Sequence, residues 1–186
     1  AQQHKVAVGA HPSYPDLAGF GRRSMVLPPS EIIAIVQYQI AALTGMAQNI
    51  GVPVTYVKPH GALYNDMMVN GHIRSAVMEA IASSHLPLAF MLQATVDADT
   101  HRVEANAFGL EVLFESFAAR CYDSSGALLS RCTKGAVHSR ETILAQVKHL
   151  TDDVTVTTVS DHFLQSQIDS LFVHGEKPHS SPISPS

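Results

Sequence analysis

"VPVTYVKPHGALYN", residues 52–65, decides the fold. Its first six residues are apolar or β-branched and read as a short buried strand. Lys58, Pro59, His60 and Gly61 follow in a row. Proline fixes its own φ, and glycine admits conformations closed to other residues, so the two pin the backbone on either side of the imidazole. The same order recurs in "VAVGAHPSYP" (6–15) and "LFVHGEKP" (171–178), which place His11 and His174 after apolar runs. Three histidines at strand ends point to a shared site.

Working outward, strands are expected at 5–10, 52–57, 86–92 and 110–115. Helices are expected between them at 31–49, capped by Ser30, at 72–84 and at 97–107. Strands that alternate with helices of this length imply parallel βαβ units, in an α/β sheet or barrel. In such folds ligands sit at the C-terminal ends of the strands. His11, His60, Glu115 and His174 all fall there, so they are expected to converge on one face. Further along, the turn residues within 121–132 predict a hairpin, and Ser139 is expected to cap a helix reaching 150. Strands are expected at 154–159 and 170–175, with a short helix at 161–168 between them. Residues 11–29 form a long Pro- and Gly-containing loop, a common carrier of function.

The expected organisation is one α/β barrel-like domain over 1–178, followed by a disordered Ser/Pro-rich tail over 179–186. The chain begins at Ala1 and enters a strand almost at once, so it reads as N-terminally incomplete.

Composition narrows the functions. Hydrophobic residues make up 46% and charged residues 15%, the balance of a folded globular protein. A net charge of −4 without a basic block argues against a nucleic-acid partner. No apolar run reaches the roughly 18 residues that cross a membrane. Cys121 and Cys132 lie outside any CxxC and are expected as two thiols in a reducing cytoplasm. Histidine is the outlier, with eleven copies. It is both the proton-transfer residue of neutral pH and the commonest metal ligand.

Each candidate has a functional and a structural reading. His60 serves proton transfer or metal ligation with Lys58 neutralising an anion, or it marks a polar turn. His11 is a second such group, or a histidine at the core edge. Arg22 and Arg23 suit carboxylate or phosphate, or are surface charge. Glu115, with Arg120 five residues on, is a base or ligand, or makes a salt bridge at the barrel rim. His174 with Glu176 repeats the strand-end pattern, or serves only the geometry around Gly175. Asp16 and Tyr64 are lesser candidates. A metal, if bound, would draw on His11, His60 and His174. No GxxxxGK[ST], GxGxxG or GxSxG motif is present.

Four blocks of the chain resemble the LamB/YcsF family: "GAHPSYPDLAGFGRR" (9–23), "VKPHGALYN" (57–65), "ESFAARCYDSSGALLSR" (115–131) and "VHGEKP" (173–178). The resemblance implies an irregular (β/α) barrel of the glycoside hydrolase/deacetylase type, here lacking its first strands. It implies the 5-oxoprolinase reaction, the ATP-dependent ring opening of 5-oxoproline to glutamate, with ATP as co-substrate and B and C subunits as partners. A divalent metal and a homo-oligomer are both compatible with it. His11, Lys58, His60, Glu115, Arg120 and His174 fall on its motif positions.

The chain departs from the family's pattern in three ways. The N-terminal Asp-x-Asn-x-Asp-x-Gly-Glu block and the Gly-Phe-His segment are missing. The usual Phe-Ala-Asp-Arg reads with Ala119 at the acid. The usual His-Gly-Asp reads with Glu176. Two alternative readings therefore stand beside the first: a metal-dependent deacetylase-like hydrolase, and a non-catalytic or degenerate binding protein.

Overall fold

The apolar run before Lys58 forms strand β2 (Val54–Val57), with both terminal valines buried. It runs parallel to β1 (Val8–Ala10) in a register that sets Ala10 opposite Val57. On its other side it runs parallel to β3 (Ala89–Gln93). The computed structural model describes residues 1–123, 126–129, 136–152, 155–159, 163–165 and 167–173. The tail expected at 179–186 lies outside the described residues.

The crossover from β1 to β2 is helix α1 (Pro29–Gln48), which buries Ile32, Val36, Ile40 and Ala47 along one stripe. Parallel neighbours need a crossover of this kind, and the alternation of the sequence supplies it. Helices α2 (Gly61–Val69) and α3 (Gly71–Ala82) connect β2 to β3. Helix α4 (Ala98–Ala107) leads from β3 to β4 (Val112–Phe117). Later come α5 (Arg140–Asp152), a ribbon of β5 (Thr155–Thr157) antiparallel to β6 (Phe163–Gln165), and β7 (Ser170–Phe172), parallel to β4. The main sheet has the order β1-β2-β3-β4-β7. This is the α/β class with a parallel sheet expected from the sequence.

The chain divides into two compact units. The first holds residues 1–92 and 100–113. In it Arg74 of α3 is buried, and its guanidinium makes two bonds to the Glu104 carboxylate, at 2.6 and 2.9 Å, and one to the Met67 carbonyl at 2.7 Å. The second unit holds residues 93–99 and 114–186. Its core gathers Tyr122, Leu150 and Val156, with Leu128, Ile168 and Leu171 packed against them. The Tyr122 hydroxyl accepts a hydrogen bond from the Phe117 amide at 2.7 Å, which satisfies a polar group buried in that core.

Three expectations change, and a fourth is met where it can be seen. Ser30 does not cap α1: Pro28 occupies the N-cap, Pro29 begins the helix, and Ser30 lies within it. Proline suits that first position because its φ is already helical. Helix α2 is an addition to the expected elements, and the turn at Lys58–Gly61 leads directly into it. The helix expected at 161–168 is replaced by β6, because Phe163, Leu164 and Gln165 pair with Thr157, Val156 and Thr155. Of the hairpin expected at 121–132, the described part shows an antiparallel bridge between Tyr122 and Leu128.

Helix α3 lies where the sequence predicts, with the Asn70 side chain accepting from the His72 amide at 3.0 Å and the Ile73 amide at 3.4 Å. Ser139 caps α5 by accepting from the Thr142 amide at 3.3 Å. Among the described residues no helix is long and apolar enough to cross a membrane.

Candidate functional site

The parallel register of β1 and β2 continues past the strand ends as a backbone ladder. The Lys58 amide donates to the Ala10 carbonyl at 2.9 Å, and the His60 amide donates to the Pro12 carbonyl at 2.8 Å. Two segments far apart in sequence therefore leave the sheet side by side. This brings His11 and His60 together, as the strand-end argument expects.

Three hydrogen bonds link the two imidazoles to the main chain and to each other. His11 Nδ1–H donates to the Lys58 carbonyl at 2.5 Å. His60 Nε2–H donates to the Phe20 carbonyl at 2.9 Å. Between them His11 Nε2 and His60 Nδ1 lie 3.0 Å apart. A carbonyl only accepts, so each outer nitrogen must carry a hydrogen. The central link needs one more. All three links are satisfied by three N–H groups on two rings, which is one imidazole and one imidazolium sharing a proton.

His11 keeps an exposed edge. The atoms packed about its ring still desolvate it enough to push its pKa below the ordinary 6.5, against the pull of the Lys58 carbonyl. The charges of His60 and Lys58 push the same way. A proton on this pair is thus positioned by hydrogen bonds and weakly held by His11.

The loop over 11–24 is fixed by its own polar groups. The Asp16 carboxylate accepts from the Gly19 amide at 2.9 Å and from the Arg23 guanidinium, which grips it by Nε at 3.0 Å and by a second nitrogen. Those bonds hold the Asp16 pKa down at about 2. Tyr14 and Ser24 both donate to the Asp66 carboxylate of α2, at 3.1 and 2.9 Å. The Gln39 side chain of α1 bonds both the amide and the carbonyl of Ser13.

Phe20 sits in the left-handed region at φ 55°, which is uncommon for an aromatic residue. Its ring stands edge-on to His60 at 5.3 Å. The Arg22 guanidinium lies 5.5 Å from the centroid of the same ring. Gly61, at φ 60°, closes the arrangement. A Cβ there would sit 2.3 Å from the Gly21 carbonyl oxygen, which itself accepts from the Ala62 amide.

The family model for LamB/YcsF matches residues 1–185. The chain belongs to the LamB/YcsF family. Over 181 residues it is 44% identical to a 5-oxoprolinase subunit of Chromohalobacter salexigens, covering 97% of this chain and 72% of that relative. It is also 44% identical to a 5-oxoprolinase subunit of Pseudomonas putida, covering 97% and 70%. Among solved structures it is similar to the lactam utilization protein from Thermus thermophilus, with a TM-score of 0.85 and 34% identity over 94% of this chain and 70% of that one. The fold class is therefore that of the LamB/YcsF parallel α/β sheet.

Within the LamB/YcsF chain, the first two sequence blocks supply the site just described. Lys58 is half-buried at its edge, and Arg22 is exposed. Arg23 is committed to Asp16. Tyr64 is buried on α2.

Glu115 and Arg120 lie in the second unit. Glu115 is buried on β4, with 1% of its surface exposed. Arg120 is also buried, and its guanidinium donates to the Leu129 carbonyl. His174 and Glu176 lie outside the described residues. Among the described residues no three His, Cys, Asp or Glu side chains gather as a metal cluster.

Two parts of the site escape a reading of the sequence. Phe20 contributes a backbone carbonyl, which residue type does not reveal. Asp66 anchors the loop from within α2, a helix without a start signal in the sequence.

Proposed function

We propose that this chain is the hydrolase component that opens the cyclic amide of 5-oxoproline to glutamate, coupled to ATP hydrolysis and working with B and C partner subunits. The observation that carries the reading is the hydrogen-bonded run from the Lys58 carbonyl through His11 and His60 to the Phe20 carbonyl. Relatives named as 5-oxoprolinase subunits and a neighbour named for lactam utilization support the substrate class.

The chemistry explains why such a pair is useful. A lactam is a poor electrophile because nitrogen donates into the carbonyl. ATP as co-substrate supplies a phosphoryl group that converts the lactam oxygen into a leaving group. Water then adds to the activated carbon, a proton goes to the departing nitrogen as the C–N bond breaks, and a second water releases the phosphate. The His11–His60 pair holds a proton between two rings and can deliver it as a general acid. Lys58 and Arg22 place positive charge beside the pair for an anionic group.

The test is glutamate release from 5-oxoproline and ATP by the purified chain with its partner subunits. Release that disappears in His60→Asn supports the reading. No release under any combination of partners overturns it.

A further inference from the structure

We infer that Arg22 is the specificity-determining residue of the His11–His60 site: it takes the carboxylate of the substrate and selects lactams that carry one beside the ring nitrogen. The inference rests on the function proposed above and names the group that reads the substrate.

Backbone bonds set Arg22 against the turn that carries His60. The Gly21 amide donates to the Asp16 carbonyl at 2.8 Å, and the Arg22 amide donates to the Gly19 carbonyl at 3.0 Å. The Gly21 carbonyl accepts from the Ala62 amide at 2.8 Å, which ties this stretch to the first turn of α2. A Cβ at Gly61 would lie 3.6 Å from the Arg22 Cα. The main chain of Arg22 therefore passes within contact distance of the residue that follows His60.

The side chain is seated yet keeps its donors. The guanidinium lies 5.5 Å from the centroid of the Phe20 ring, and the same ring meets the His60 ring at 5.3 Å. Attraction to an aromatic ring holds a guanidinium without using its N–H groups. Among the described residues Arg22 makes no ion pair, whereas its neighbour Arg23 is committed to Asp16. Arg22 is exposed and Phe20 is 67% exposed, so this corner of the site is open to a ligand.

Two cations bracket the pair, and two groups of the substrate match them. Lys58 acts at the His11 end, where its charge disfavours a proton on that ring. Arg22 lies at the other end, beside the Phe20 whose carbonyl accepts from His60. In 5-oxoproline the ring nitrogen is bonded on one side to the carbonyl carbon and on the other to the carbon that bears the carboxylate. A nitrogen turned toward the pair therefore sends the lactam oxygen to one end and the carboxylate to the other. The planar fork of arginine suits a carboxylate, to which it donates two parallel bonds. The compact charge of lysine suits the single oxygen that takes the phosphoryl group.

Such a contact acts on selection more than on the barrier. The carboxylate is ionised before and after the ring opens, so Arg22 holds ground state and transition state alike. Uniform binding of that kind lowers KM and leaves kcat nearly unchanged. A lactam without the carboxylate offers Arg22 nothing.

The test uses the full chain with its partner subunits and compares 5-oxoproline with 2-pyrrolidinone, the same lactam ring without the carboxylate. Binding is read by NMR titration, which needs no turnover, and KM and kcat by product release. The parent is expected to prefer 5-oxoproline by about tenfold or more, the worth of a charge-assisted bond. Arg22→Ala is expected to erase that preference by weakening 5-oxoproline alone. Arg22→Lys is expected to restore part of it, since it returns the charge without the fork. In turnover the loss should appear in KM for 5-oxoproline, with kcat and KM for ATP little changed. Equal weakening of both lactams, or a loss confined to ATP, overturns the inference. The expected binding pattern without glutamate release overturns the proposed reaction and leaves the carboxylate assignment standing. Failure of 5-oxoproline to bind at all overturns both.

Discussion

His11 Nε2 and His60 Nδ1 lie 3.0 Å apart although 49 positions separate them in the chain. The cause is the parallel register that sets Ala10 beside Val57 and continues as a ladder into both loops. Two backbone carbonyls then fix the outer nitrogens, so the rings meet at their inner ones.

Replacing either ring should abolish chemistry and leave the fold intact. His11→Asn and His60→Asn are each expected to lower glutamate release by about a hundredfold or more, the usual worth of general acid–base catalysis. Thermal unfolding of the same proteins should stay within a few degrees of the parent, because neither ring belongs to the buried core.

Gly61→Ala should destabilise the first unit. The residue sits at φ 60°, and an added Cβ would meet the Gly21 carbonyl oxygen at 2.3 Å. The left-handed backbone alone costs about 1–3 kcal/mol. Urea unfolding should report that loss, and activity should fall with it because His60 is the adjoining residue.

The Asp16–Arg23 pair predicts a pH signature. The folded pKa of Asp16 is held at about 2, below its ordinary 3.8. A carboxylate whose folded pKa is depressed adds stability above its unfolded pKa and loses it as pH falls through the folded one. The stability difference between the parent and Arg23→Ala should therefore be constant from about pH 5 to 7 and shrink between about pH 4 and about pH 2. A difference that grows on acidification would refute the assignment.

Arg74→Met should cost about 1–3 kcal/mol. It leaves the Met67 carbonyl and the Glu104 carboxylate without the donors that now satisfy them. The double variant with Glu104→Gln should recover part of that loss in chemical denaturation, because the stranded charge is then gone.

Much of this architecture is legible in the sequence. Alternating strand and helix patterns predict the parallel sheet, and strand-end histidines predict the His11–His60 meeting. The remainder depends on groups that residue type hides. The Lys58 and Phe20 carbonyls are main-chain acceptors, available at any residue. Helix α2 begins at Gly61 with no capping side chain, so the usual start signal is absent. Residues 163–165 form a strand only because β5 offers a partner.

The most direct test is a double-mutant cycle on His11→Asn and His60→Asn, read as kcat/KM for 5-oxoproline with ATP and the partner subunits. If one proton is held by both rings, either substitution already destroys the unit, and the double variant should be little worse than each single one. Losses that simply multiply would mean that the two rings act separately, and would contradict the shared-proton account.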